Sequence, residues 1–335
     1  LQGILHNLQG DSSKAHACAS QVMQDAHLEG LTELWSEAAL MLAITSLQLG
    51  DMEQAELLME VLERRLAMLE RSSMQHKVLQ AWYHMSRARQ FQYHGQLDAS
   101  EDAFKLLLQC LPELDFPGAL MSICFNGLGD IYRSRGQHDR ATQFTREALA
   151  FATRHDNPML MADCYNDLSE LERQTGDMSA ARQHVNKAIA LYESMGADQS
   201  LRAHRNLGYL ALAERLFDEA YTIFQAIFEH LQHSQEQLQL TFALAGLLPC
   251  LIHREEFDRV LPTFDRFELL VEQNGLRHAD LIFALELTMT LLDQAAVCAN
   301  AVPPTRALLL QDTLRPGLTR LLGQLGTSVP HDEEA

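Results

Sequence analysis

Apolar residues in this chain recur at three- and four-residue spacing, as at Ala55, Leu58, Met59 and Leu62. That is the period of one buried face of an α-helix. A short polar turn interrupts the pattern again and again. It reads G-D-S-S-K-A from Gly10, G-D-M-E-Q-A from Gly50, G-Q-L-D-A-S from Gly95, G-Q-H-D-R-A from Gly136 and G-D-M-S-A-A from Gly176. Two weaker copies follow, R-L-F-D-E-A from Arg215 and E-E-F-D-R-V from Glu255. Successive copies are 39 to 45 residues apart, a spacing that signals a repeat architecture.

Each copy has the same physical logic. Glycine ends one helix where a left-handed residue is needed. The polar residue beside it is placed to cap the next helix. The alanine or serine five residues after the glycine lets two helices approach closely. The helix before the turn repeats as well: F-N-G-L-G-D-I-Y before Gly136, Y-N-D-L-S-E-L-E before Gly176 and H-R-N-L-G-Y-L-A before Arg215. This register directs Leu128, Leu168 and Leu207 to the core and puts Gly129, Ser169 and Gly208 at helix–helix contacts.

Leu128, Gly129 and Tyr132, followed by Gly136, Ala141 and Ala148, resemble the tetratricopeptide repeat (TPR) signature. The match covers roughly residues 1–275 and is strongest around Gly136 and Gly176. The interval exceeds the standard repeat of about 34 residues, which lengthens each helix by nearly a turn. Extended repeats of this kind are similar to those of kinesin light chains and maltose-regulator-type activators. They also resemble regulatory arrays fused to bacterial signalling enzymes, including diguanylate cyclases and histidine kinases. The resemblance implies an all-α, right-handed superhelical solenoid of about seven TPR-like helix pairs, with a C-terminal capping pair.

The expected organisation is a repeat array over residues 1–275 with its first repeat cut short, capping helices over 276–326 and a flexible tail or linker over 327–335. Residues 278–299 read as a helix that Pro303 and Pro304 end, and 305–325 as a second helix interrupted at Pro316–Gly317. The truncated first repeat and the start at Leu1 suggest a piece of a longer protein.

Composition narrows the function. The formal net charge of −19 disfavours nucleic acid as a direct partner. No apolar stretch is long enough to span a membrane, and no signal peptide opens the chain. Cys18, Cys110, Cys124, Cys164, Cys250 and Cys298 are scattered without a C-x-x-C pair, as in a reduced cytoplasmic protein.

Neither catalytic nor metal-binding chemistry is indicated, and no cofactor is expected. Fifteen histidines, His6, His16, His27 and His253 among them, lack ligand spacing. Gly127–Leu128–Gly129 lies inside a helix, where packing rather than phosphate binding is the expected role. Asp163, Asp167 and Glu170 read as a solvated acidic face, and Phe125, Tyr132, Phe144 and Tyr165 as core. No enzyme is expected in this segment, although a catalytic domain fused outside it is compatible.

By the resemblance, the first helix of each pair lines a concave groove, and a polar stripe on it faces the partner. The stripe comprises Arg89; Asn126, Asp130 and Arg133; Asp163, Asn166, Asp167, Glu170 and Arg173; and Arg202, Arg205, Asn206 and Tyr209. Trp82 sits at a first-helix position open to the groove, with inter-repeat packing the favoured reading. Asparagine amides pair with a peptide backbone whatever its sequence, and guanidinium groups suit carboxylates or phosphates. Polar bonding between helices is the bland reading of the same stripe. The function expected is a scaffold for a protein or peptide, in a bacterial signalling or transcription-control protein. The alternative is a sensor of a sugar or nucleotide-like effector, held by the arginines and Trp82. Self-association is a third possibility.

Overall fold

The computed structural model describes residues 12–326 except 30, 50, 71–72, 94, 115–117, 196–199, 233–236, 275–278 and 300–305. The turns at Gly10 and Gly50, Pro303 and Pro304, His6, the side chain of Cys298 and the tail from residue 327 lie outside what is described. Among the described residues the regular structure is helical. In chain order the α-helices are α1 (Ser12–Leu28), α2 (Thr32–Leu49), α3 (Met52–Met68), α4 (Met74–Tyr93), α5 (Leu97–Cys110), α6 (Gly118–Ser134), α7 (His138–Arg154), α8 (Pro158–Thr175) and α9 (Met178–Ser194). They continue as α10 (Ser200–Ala213), α11 (Phe217–Leu231), α12 (Gln237–His253), α13 (Phe257–Asn274), α14 (Ala279–Ala299) and α15 (Arg306–Gly326). The all-α architecture of paired helices is the one the repeat pattern predicts. No helix among the described residues is long and apolar enough to cross a membrane.

The turns follow one design. Gly95, Gly136 and Gly176 all take positive φ. At Gly176 the backbone N–H bonds to the Arg173 carbonyl at 3.2 Å, and that of Asp177 bonds to Glu172 at 2.8 Å. This pair of bonds satisfies carbonyls that a helix end leaves open. Arg215 and Glu255 keep the same geometry without glycine, at φ 62° and 59°, and each makes the same two bonds. The weak copies are therefore full structural copies. The Asp51 and Asp177 carboxylates accept from the backbone N–H three residues on, as caps should. Gln96 and Gln137 make no such side-chain bond.

The residue five positions after each turn is fully buried in all seven copies: Ala15, Ala55, Ser100, Ala141, Ala181, Ala220 and Val260. A Cβ on Gly129 would meet Thr145 Oγ1 at 2.7 Å, and one on Gly208 would meet the Phe224 ring at the same distance. Leu128 and Leu168 are buried, but Leu207 is only partly so. Tyr209 and Leu210 take the core position in α10, with the Tyr209 ring edge-on to Phe224 at 5.1 Å.

The chain forms two compact units, residues 1–200 and 201–335. In the first, the core divides into a cluster around Leu42, Met59 and Leu62 and another around Phe104, Leu107 and Ile131. Trp82 packs against both. In the second unit a single cluster runs from α10 to α15. There α12 is buried on every side from Leu240 to Ile252. The last pair does not stack as a further repeat: α14 lies along α12, and α15 closes against both α14 and α13, in a four-helix arrangement. The break expected at Pro316–Gly317 is absent, because α15 runs through it. A Cβ on Gly317 would meet the Phe264 ring at 2.8 Å, so the glycine serves close approach to α13 instead of a turn.

Candidate functional site

In the first unit the first helices α4, α6 and α8 lie side by side and are joined by polar side chains. Gln92 on α4 donates to the Gly127 carbonyl on α6 at 3.1 Å. Arg89 on α4 pairs with Asp130 on α6 at 3.5 Å. Arg133, one turn further along α6, binds Asp130 at 3.2 Å and reaches Glu170 on α8. The chain of contacts is thus Arg89, Asp130, Arg133, Glu170, with alternating charge. Burial works against the charge of Arg133, but Glu170, Asp130 and Asp167 outweigh it and hold its pKa above the ordinary arginine value.

This network corrects one expectation. Asp167 and Glu170 are almost completely buried, not solvated, and Asp163 accepts from the Tyr192 hydroxyl at 2.5 Å. Extended first helices packed at close range leave little room between them, so Asp130 and Glu170 are balanced by arginines of the preceding repeat and not by water. Asn166 is also sealed.

Asn126 differs. It is 8% exposed, and its side-chain carbonyl oxygen is buried without a hydrogen-bond partner. It lies one turn before Asp130 on α6, so both share one face of the helix. Beside it Arg89 and Asp130 keep about a third and a fifth of their side-chain surface open, and Arg133 somewhat less. Arg173 is partly exposed at the end of α8. The accessible part of the predicted stripe in this unit therefore centres on Arg89 and Asp130, beside the nearly buried Asn126. Trp82 is largely taken up by packing.

In the second unit the expected residues turn mostly inward. Arg205 is 6% exposed, lies over the Phe242 ring at 4.3 Å and donates to the side-chain oxygens of Gln239 and Asn206, each at 3.3 Å. Tyr209 is fully buried, and its hydroxyl donates to the Phe242 carbonyl at 3.0 Å. Asn206 is buried and Arg202 partly exposed. Tyr209 is a core residue here, which its place beside the glycine of the L-G-x-L run did not reveal.

Other candidates resolve as packing. A Cβ on Gly127 would fall 2.1 Å from the Phe104 ring, so that glycine admits a neighbouring helix. Phe144 stacks on both Phe125 and Tyr132, and His253 stacks on Phe217 at 4.4 Å. Burial raises the pKa of the Cys124, Cys164 and Cys250 thiols, those of Cys124 and Cys250 to about 12. Among the described residues no group of three or more His, Cys, Asp or Glu is arranged to hold a metal ion.

The family model of the MalT-like TPR region matches residues 37–242. The chain belongs to this family. MalT-like TPR helices are thus the frame that carries the Asn126 stripe. Curated proteins give no match. A solved Rap protein, complexed with Competence and Sporulation Factor, is similar with a TM-score of 0.64 at 13% identity, over 97% of this chain and 96% of that one. Aspartyl phosphate phosphatase F from Bacillus subtilis has a TM-score of 0.62 at 15% identity, over 91% of this chain and 76% of that one. A chain of the APC/C hetero-tetramer Cut9-Hcn1 has a TM-score of 0.58 at 14% identity, over 84% of this chain and 47% of that one. At these identities the likeness is one of fold.

Proposed function

We propose that this MalT-like TPR region holds a protein or peptide segment on the face formed by α4, α6 and α8. The observation that carries the reading is Asn126. Its amide oxygen is buried without a partner, which costs stability, and rotation of the side chain towards the open face beside Asp130 and Arg89 would let a ligand N–H satisfy it. Asp130 and Arg89 flank it with surface still open to a backbone or a polar side chain. The Rap protein of similar fold, complexed with Competence and Sporulation Factor, supports a binding role for this frame. We place the segment within a larger bacterial signalling or transcription-control protein of the cytoplasm, where its occupancy alters the packing between neighbouring repeats. A sugar or nucleotide-like effector is less well supported, because Arg89 and Arg133 are already engaged by carboxylates and Trp82 by packing.

The test is affinity capture from the source lysate with wild-type protein and an Asn126→Ala variant, whose folding is checked by circular dichroism. A partner that the folded variant binds about tenfold more weakly supports the assignment. Equal capture by both proteins overturns it.

A further inference from the structure

A different part of the first unit carries a second surface. Where α1 ends, α2 begins and α3 ends, a cleft of about 310 Å³ opens between Trp35, Val61, Met68, Arg64, Arg65 and His27. One repeat further on, the equivalent junction of α3, α4 and α5 forms a second cleft of about 640 Å³, lined by His76, Lys77, Gln109 and Cys110 among others. The two clefts share the end of α3. They lie on the edge of the array and use none of the residues of the Asn126 stripe. Along α4, His76 is about 20 Å from Arg89.

Three observations point to a ligand. First, the nearer cleft is mainly apolar, and among the described residues its charged lining is cationic, Arg65 and Arg64 (the latter paired with Glu60 at 3.5 Å), in a chain whose formal net charge is −19. Second, Arg65 has its Nε buried without a hydrogen-bond partner. Third, half of the exposed large apolar side chains among the described residues gather on this edge: Leu28, Leu31, Leu34, Met68, Met74 and Val78. Leu28 and Met68 are 83% and 79% exposed. An apolar patch of this kind, rimmed by charge, marks an interaction surface.

The geometry points to a docking site for an acidic peptide segment of a partner protein. A bulky apolar side chain of that segment inserts against Trp35 and Met68, and a neighbouring carboxylate pairs with the Arg65 guanidinium. Arginine suits this role because its planar fork binds a carboxylate at two points. The wider second cleft takes the following part of the segment, with Lys77 beside it; that lysine is already paired with Glu113 at 3.0 Å and so adds less. This site stands apart from the Asn126 face, and either assignment survives the failure of the other.

The experiment is selection from a phage-displayed octapeptide library in which one position is Leu or Phe and its neighbours are Glu. The bait is the whole chain, as wild type or as Arg65→Glu, Met68→Glu or Asn126→Ala variants, each checked by circular dichroism. The wild type and Asn126→Ala should retain these peptides better than versions with Ser at the anchor or Lys at the flanks. Arg65→Glu and Met68→Glu should each weaken binding by about tenfold. Retention without preference for the anchor or the acids, or retention unchanged in both edge variants, overturns the proposal. Concentration-dependent dimerisation in sedimentation that Met68→Glu abolishes would also overturn it, because a second copy would then be the occupant.

Discussion

Arg133 on α6 and Glu170 on α8 form an ion pair between repeats in which the carboxylate side chain is only 3% exposed. A charge buried this deeply depends on its partner. Removing one member leaves the other uncompensated, at a cost of about 3–5 kcal/mol. Arg133→Met should therefore destabilise the protein by that order in urea denaturation. The double variant Arg133→Met, Glu170→Leu should recover most of the loss. A double variant whose loss equals the sum of the losses in Arg133→Met and Glu170→Leu alone would show that the pair is not coupled.

Phe224 fills the space between two glycines, Gly208 on α10 and Gly246 on α12. A Cβ on Gly246 would stand 2.4 Å from the Phe224 ring. Gly246→Ala should destabilise by about 1–3 kcal/mol through overpacking. Phe224→Leu in the same chain should relieve part of that strain, which thermal melts of the two variants and their combination will measure.

Arg215 and Glu255 hold left-handed backbone without glycine. An L-residue there bears about 1–2 kcal/mol of steric cost, against which glycine's greater freedom in the unfolded chain must be set. Arg215→Gly and Glu255→Gly should each raise stability by about 0.5–1 kcal/mol. Gly176→Ala, at φ 91°, should lower it. Urea midpoints check the signs.

Glu101 gives the fold an acid-sensitive contact. Burial pushes its pKa up, but bonds from Arg135, Lys105 and Tyr132 prevail and bring it from 4.5 to about 2. The folded state thus favours the ionised form more than the unfolded state does. The associated stability is present above pH 4.5 and drains away as pH falls towards about 2. Glu101→Gln should lower stability at neutral pH and flatten the decline over that acid window. A decline as steep in the variant as in the wild type would assign the acid sensitivity to other carboxylates.

The frame was readable because its cause is local. Gly136 and Ala141 act through backbone conformation and close packing within one turn, and their spacing recurs along the chain. Even Arg215 and Glu255, which lack the glycine, could be found by the interval alone. The polar stripe was readable as a set of positions but not as a surface. Asn126 and Asn166 look alike in sequence, and only the packing between α6 and α8 separates a partly accessible amide from a sealed one. Tyr209 was misleading for the same reason: a tyrosine with a buried hydroxyl partner in another helix has no local mark. The edge clefts were invisible, since each forms only when the ends of three helices pack together.

The sealed helix α12 has a consequence for synthesis. Its buried stretch ends at Ile252, but α14, which covers one of its sides, ends only at Ala299. At about 5–20 residues per second, the ribosome needs several seconds to deliver that cover. For that interval the nascent chain carries an apolar helix with one side uncovered, since only α11 and then α13 lie against it. A chain that stops before α14 carries it permanently, so premature termination in this region should yield aggregates and not a shorter working array.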